Sequence, residues 1–233
     1  MDPESANMIV PVKADASTNN GNHQEPLVSV IRKMIEMPEP QSSTVCRIYR
    51  VPYHFRKYNN GAYSSRVVSI GPFHRDQKGL GNMEVHKVIY LKKFIEKTQL
   101  DLEKLVTIIR EREESIRSCY AESLDQINKD DFVKMILLDA TFILVLFLGH
   151  KSEDWKFGDP MLVHPLFAAV RFDLLLLENQ LPFFVIKILF DQASPFLQNP
   201  ISSLIEFTWD FFSDYNWQKK SFPSDLEIIH FTY

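Results

Sequence analysis

The sequence predicts a mainly α protein: an irregular multi-helix bundle with a long amphipathic helix, a buried central helix and a proline-kinked helix pair. At most a short β element is expected, near residues 45–72. Three observations carry this. From Asn82 to Leu148 there is neither Gly nor Pro, and apolar residues recur in steps of three and four. Running to the end of that span and two residues past it, FVKMILLDATFILVLFLGH is apolar on nearly all sides, as in a helix without a solvent face. The stretch Phe172–Phe190, FDLLLLENQLPFFVIKILF, is an almost wholly apolar run that Glu178, Asn179 and Gln180 interrupt just before Pro182.

Taken in order, residues 1–25 are polar and aperiodic, which predicts a disordered tail and leaves 26–233 as one helical domain. In LVSVIRKMIEM, Leu27, Val30, Ile31, Met34 and Ile35 fall at helical spacing, so a short amphipathic helix spans 27–37 until Pro38 and Pro40 end it. A basic, aromatic segment follows, in which Arg47, Arg50, Arg56, Lys57 and Arg66 interleave with Tyr49, Tyr53, Phe55, Tyr58 and Tyr63. Asn60-Gly61 and Gly71-Pro72 punctuate it as turns, and Arg66–Ile70 could form a short strand. Such a pattern can bind RNA or a phosphorylated ligand by charge and stacking. The simpler reading is preferred: an irregular arm that lays its aromatics on the helical core and leaves its Arg tips in solvent.

Asn82 as N-cap and Glu84 in the first turn start the long helix, one piece or two nearly collinear ones over 83–120. Its inner stripe is Val88, Leu91, Ile95, Leu102, Leu105, Ile109 and Ile116. Thr98 and Arg112 interrupt that seam, so it lacks the sustained heptads of a coiled coil and should pack within the chain. Asp130 or Asp131 caps the central helix, 131–148. Asp139 within it needs a partner, because an unpaired carboxylate in an apolar helix is costly; Arg171 and Lys134 are the candidates.

The polar joint splits the next apolar run into helices 160–179 and 182–193. Pro182 fits the first turn of the second helix, and Glu178, Asn179 and Gln180 can satisfy the backbone groups freed at the break. Asn199-Pro200 opens a last helix over 200–213. The chain stops on the apolar run EIIHFTY, which reads as a helix cut short and predicts a domain incomplete at its C-terminus.

A net charge of −4 and a pI near 6.0 argue against nucleic acid as a partner. Cys46 and Cys119 alone make no disulfide framework or zinc spacing. No signal peptide and no transmembrane segment are read, since Lys134 and Asp139 interrupt the central helix and the polar joint interrupts the other apolar run. The scattered histidines, His54, His74 and His86 among them, make no metal motif, and there is no phosphate loop or nucleophile elbow. No cofactor, metal or catalytic residue is assigned. Asp173 and Glu178 are five residues apart, on different faces of a helix, which makes them a poor acid–base pair.

The blocks IYRVPYHFRKYNNGAYSSRVVSIGPFHR, GNMEVHKVIYLKKFI, ESIRSCYAES, FVKMILLDATFILVLF and FDLLLLENQLPFFVIKILF resemble, in order and spacing, the plant-specific DUF247 (UPF0481) family. VSIGP, with Gly71 and Pro72, and LLENQLPFF, with Glu178, Asn179, Gln180 and Pro182, are its specific parts; Asp139 marks the central helix. The resemblance implies a largely helical protein, roughly twice this length in full-length members, with an apolar membrane anchor near the C-terminus. It also implies, for some members, a link to pollen–stigma self-incompatibility in grasses, and it supplies no catalytic residues. Where the family has Asp-Gly-Cys, this chain has Asp139-Ala140-Thr141.

Two functions follow as expectations. One is a non-catalytic recognition, signalling or scaffold protein that binds other proteins. The alternative is an enzyme with a carboxylate site around Asp139, Asp173 and Glu178. An enzyme should converge these acids on an open cleft; a recognition protein should bury or pair each separately.

Overall fold

In a computed structural model, residues 27–36, 48–151, 155, 165–197 and 203–216 are described. The expected tail over 1–25, Cys46, the Asn199-Pro200 start and the apolar end with Ile228, Ile229 and Phe231 lie outside them. The described residues are helical and contain no strand. Two units are distinguished, residues 1–41 and 42–233. The first holds α1 (Leu27–Glu36), on which Leu27, Ile31 and Ile35 are exposed.

Among the described residues of the second unit the α-helices are α2 (Tyr53–Arg56), α3 (Asn82–Thr98), α4 (Leu102–Arg110), α5 (Glu113–Ser118), α6 (Lys129–Lys151), α7 (Pro165–Asp173), α8 (Phe183–Ala193) and α9 (Leu204–Phe211). The centre is α6, against which α3, α4, α5, α8 and α9 all pack. Its sequence explains this: from Phe132 to Gly149 only Lys134 and Leu138 are not buried. By length and composition α6 could cross a membrane, yet 89% of its most apolar window is covered by the rest of the protein. Ring contacts tie its far end to α9, with Phe147 and Phe211 centroids 4.7 Å apart.

The long helix expected over 83–120 is instead three helices. Gln99 takes a left-handed conformation, φ 53°, and ends α3 although no Gly or Pro is present. Asp101 then caps α4 by accepting from Lys104 N. The inner stripe of α3 also lies one residue earlier than expected. Met83, Lys87, Tyr90, Phe94 and Thr98 are buried, while Val88 is exposed and Leu91 and Ile95 are half-buried. Of the expected positions on α4 and α5, Leu105, Ile109 and Ile116 are buried, while Leu102 is exposed in the first turn of α4.

Among the described residues the β element reduces to one parallel bridge, Ile48 to Tyr120. After α7 the chain does not remain helical to 179 but turns irregularly through 174–180. Pro182 stands at the N-cap of α8, one residue before the expected first-turn position. The last helix begins later than expected, with Ser203 as the cap through Glu206 N.

Candidate functional site

Residues 66–71 cross the interior with neither helix nor strand, so their backbone needs other partners. Buried side chains supply them. Asp173, at the end of α7, accepts from three successive amides: Arg66 N at 3.0 Å, Val67 N at 2.7 Å and Val68 N at 2.9 Å. Asn179 takes Ile70 N at 2.7 Å and gives its own amide to Val68 O at 3.1 Å. Asp139, on α6, takes Gly71 N at 2.8 Å. Three side chains, from the end of α7, the irregular joint after it and the middle of α6, thus act as the missing neighbouring strand.

Glu178 extends the clamp outward. It accepts from Val51 N and pairs with the Arg56 guanidinium, with Arg50 Nη1 3.9 Å and His74 Nε2 3.7 Å away. Asn179 and Gln180 work inward on the joint: Asn179 Nδ2 donates to Asp173 O, and Gln180 Nε2 to Leu174 O and Leu176 O. These are carbonyls that the end of α7 leaves without helical partners. The joint is therefore stabilised by the two amides, while the carboxylate holds the arm.

The partner of Asp139 is neither Arg171 nor Lys134. Lys87 Nζ lies 2.6 Å from Asp139 Oδ1, and also 2.6 Å from Ser69 O and 2.5 Å from Glu84 Oε1. The ammonium thus donates to Ser69 O and Glu84 Oε1 and is ion-paired with Asp139. Arg171 pairs with Asp214, and Lys134 with Asp131. Burial pushes the Asp139 carboxyl up to about 6, against the pull of Lys87. Burial also works to lower Lys87, but Asp139 and Glu84 outweigh it and hold the ammonium above its ordinary value. Lys87 is the member of this site that sequence reasoning missed, and Arg56, expected with its tip in solvent, is instead paired with Glu178. The available signal for Lys87 was its place between Met83 and Tyr90 on a face otherwise apolar.

The arm departs from expectation in one respect. It is irregular, but Tyr49, Tyr53, Phe55 and Tyr58 stand 56%, 78%, 54% and 87% exposed instead of lying on the core. Its buried anchors are Ile48, Val51, Val68, Ile70 and Phe73. Arg50 lies over the Phe73 ring at 4.5 Å and reaches Glu122 at 2.9 Å. Beside it a cleft of about 550 Å³ is lined by Arg50, Phe73, His74, Arg75, Gln126 and Asp131, among others. Asp139, Asp173 and Glu178 do not line it. Burial lowers His74 below its ordinary value, opposing the nearby Glu178. Among the described residues no three His, Cys, Asp or Glu side chains are grouped to hold a metal ion.

A helical domain that clamps an irregular, basic and aromatic arm with buried acids and amides is the class of protein these features define. The chain belongs to the DUF247 family, described as plant protein of unknown function, whose family model matches residues 48–232. It is 36% identical over 168 residues to UPF0481 protein At3g47200 of Arabidopsis thaliana, covering 70% of this chain and 35% of that relative. It is 26% identical over 141 residues to UPF0481 protein At3g02645 of the same plant, covering 60% of this chain and 26% of that relative. The matched region is thus about a third of the first relative and a quarter of the second. No solved structure matches. Ala140 and Thr141 are both fully buried, and Thr141 Oγ1 donates to Leu137 O within α6.

Proposed function

We propose that this domain is a non-catalytic recognition or scaffold module that binds other proteins through the arm at residues 48–64. The observation that carries the reading is the separate engagement of the three acids. Asp139 is held by Lys87 and Gly71 N, Asp173 by three backbone amides, and Glu178 by Val51 N and Arg56. A general acid or base must reach a proton on a substrate, and none of the three faces the cleft. The exposed tyrosines of the arm and its exposed Arg50 are residue types that dominate protein interfaces. Membrane association and self-incompatibility signalling, which the family resemblance implies, fit a domain that presents a fixed surface to a partner.

The test is proximity capture from plant tissue with the wild-type chain and a Tyr53→Ala/Phe55→Ala/Tyr58→Ala variant of equal melting temperature. Partners enriched by the wild type should be lost from the variant. Substrate turnover abolished by Glu178→Gln in a protein of unchanged stability would instead establish the enzyme alternative.

A further inference from the structure

We infer that the arm's partner is an acidic protein segment, one that carries several Asp or Glu residues among aromatic or aliphatic ones. This rests on the recognition reading and names its partner's chemistry. Charge is strongly segregated in the chain. Residues 41–75 hold six Lys or Arg and no Asp or Glu. The whole chain has 26 basic and 30 acidic residues, so removing those six leaves 20 against 30, a net −10 for the remainder. The arm is the basic site of an acidic molecule.

Not all of that positive charge is available. Arg56 is engaged by Glu178, and Arg50 by Glu122. Lys57 is exposed and makes no ion pair among the described residues, Arg66 is exposed over the Phe172 ring at 5.0 Å, and Arg75 is 3.9 Å from Asp131. Lys57 sits between the paired Arg56 and the exposed Tyr58, so cation and aromatic surface are presented together. The aromatic side chains supply area at low entropy cost. The clamp beneath them, from Glu178 to Val51 N and Arg56, fixes the backbone before any partner arrives, which lowers the cost of binding.

Size selects the partner. A duplex or a bilayer extends well beyond the arm and brings its negative charge against the acidic remainder of the chain. Repulsion between unit charges persists over about 8–10 Å at physiological salt, so an extended polyanion is disfavoured where a short peptide is not. A peptide can touch the arm alone.

The experiment is fluorescence anisotropy with the full chain and a fluorescein-labelled twelve-residue peptide in which Glu alternates with Tyr and Leu. A Gln-for-Glu analogue is the control, and melting curves accompany each variant. The acidic peptide should bind at least tenfold tighter than the Gln analogue and weaken as salt rises. Lys57→Glu, and separately Tyr53→Ala/Tyr58→Ala, should each weaken it at least tenfold without lowering the melting temperature. Equal affinity for the two peptides, no binding, or binding indifferent to these substitutions would overturn the inference. So would arm-dependent binding of phosphatidylserine vesicles or oligouridylate in place of the peptide. If the arm variant loses its captured partners in plant tissue while the acidic peptide fails to bind, the acidic chemistry falls and the recognition reading stands. If neither depends on the arm, both fall.

Discussion

Gly71 approaches Gln180 so closely that a Cβ on the glycine would stand 2.6 Å from the Gln180 carbonyl oxygen. That carbonyl accepts from the Tyr120 hydroxyl at 3.0 Å, which itself would stand 3.0 Å from the same Cβ, and Gly71 has φ +70°. The VSIGP and LLENQLPFF blocks, more than a hundred residues apart, are therefore the two sides of one buried contact. A side chain on Gly71 would have to displace backbone, and its conformation would be strained as well.

Gly71→Ala should accordingly destabilise the fold by more than the roughly 1–2 kcal/mol that a left-handed conformation costs an L-residue. Gly79→Ala is the control: its φ is +96°, but nothing lies within 4 Å of the added carbon, so it should show backbone strain alone. Denaturant unfolding of both variants checks this, and equal losses would refute the steric account.

The ion pair of Asp139 and Lys87 makes a prediction in pH. Folding raises the Asp139 carboxyl from 3.8 to about 6. Between those values the folded state keeps a proton that the unfolded state has released, so this group's contribution to stability falls as pH rises through the window. At about 1.4 kcal/mol per pKa unit the fall is ~3 kcal/mol. Asp139→Asn cannot titrate. Wild-type stability relative to that variant should therefore decline from pH 4 to 7, as measured by urea unfolding at each pH. A difference that stays constant would contradict the assignment.

Asp173 is the acceptor for three amides, so the chemistry of its replacement matters. Asp173→Asn retains one oxygen where Oδ2 now takes most of the bonds, and should lose less stability than Asp173→Leu. Leucine strands the amides of Val67 and Val68, at about 1–3 kcal/mol for each buried group. Amide hydrogen exchange at residues 66–68 should accelerate in the leucine variant first.

The helices were the legible part of the sequence, and the reason is their period. In α6 the apolar residues surround the axis, and no partner but the core can satisfy them. The break at Gln99 was hidden, because a non-glycine residue takes the left-handed turn; Asp101 followed by Glu103 was the local sign of a new helix start. The one-residue error in the face of α3 came from following the apolar spacing of Val88, Leu91 and Ile95, whereas the buried face includes Lys87, which pairs with Asp139. The polar joint was visible as a cluster of acid and amide groups beside a proline. Its partners were not, since Ile70, Val68 and Val51 lie more than a hundred residues away and backbone amides leave no mark in a sequence.

Glu178 separates the two functional readings by stability alone. Its carboxylate is buried, accepts from Val51 N and carries the Arg56 ion pair. Glu178→Gln keeps the shape and the acceptor for Val51 N but loses the charge facing Arg56, so it should lower the melting temperature moderately. Glu178→Leu removes both and should cost more, and Asn179→Leu should also be costly, because it strands Ile70 N and Val68 O at about 1–3 kcal/mol each. Arg56→Ala tests the pair from the other end: it leaves the buried Glu178 carboxylate with only the more distant Arg50 and His74 beside it, and should also lower the melting temperature more than Glu178→Gln. The expected order of damage places Glu178→Gln below Glu178→Leu and below Arg56→Ala. A catalytic carboxylate behaves in the opposite way, since active-site acids are often held at a cost to stability; Gln would then leave the melting temperature unchanged or raise it. Thermal melts of the four variants decide the matter without knowledge of any substrate. Wild-type stability in Glu178→Gln, Glu178→Leu and Asn179→Leu together would remove the structural role assigned to the joint.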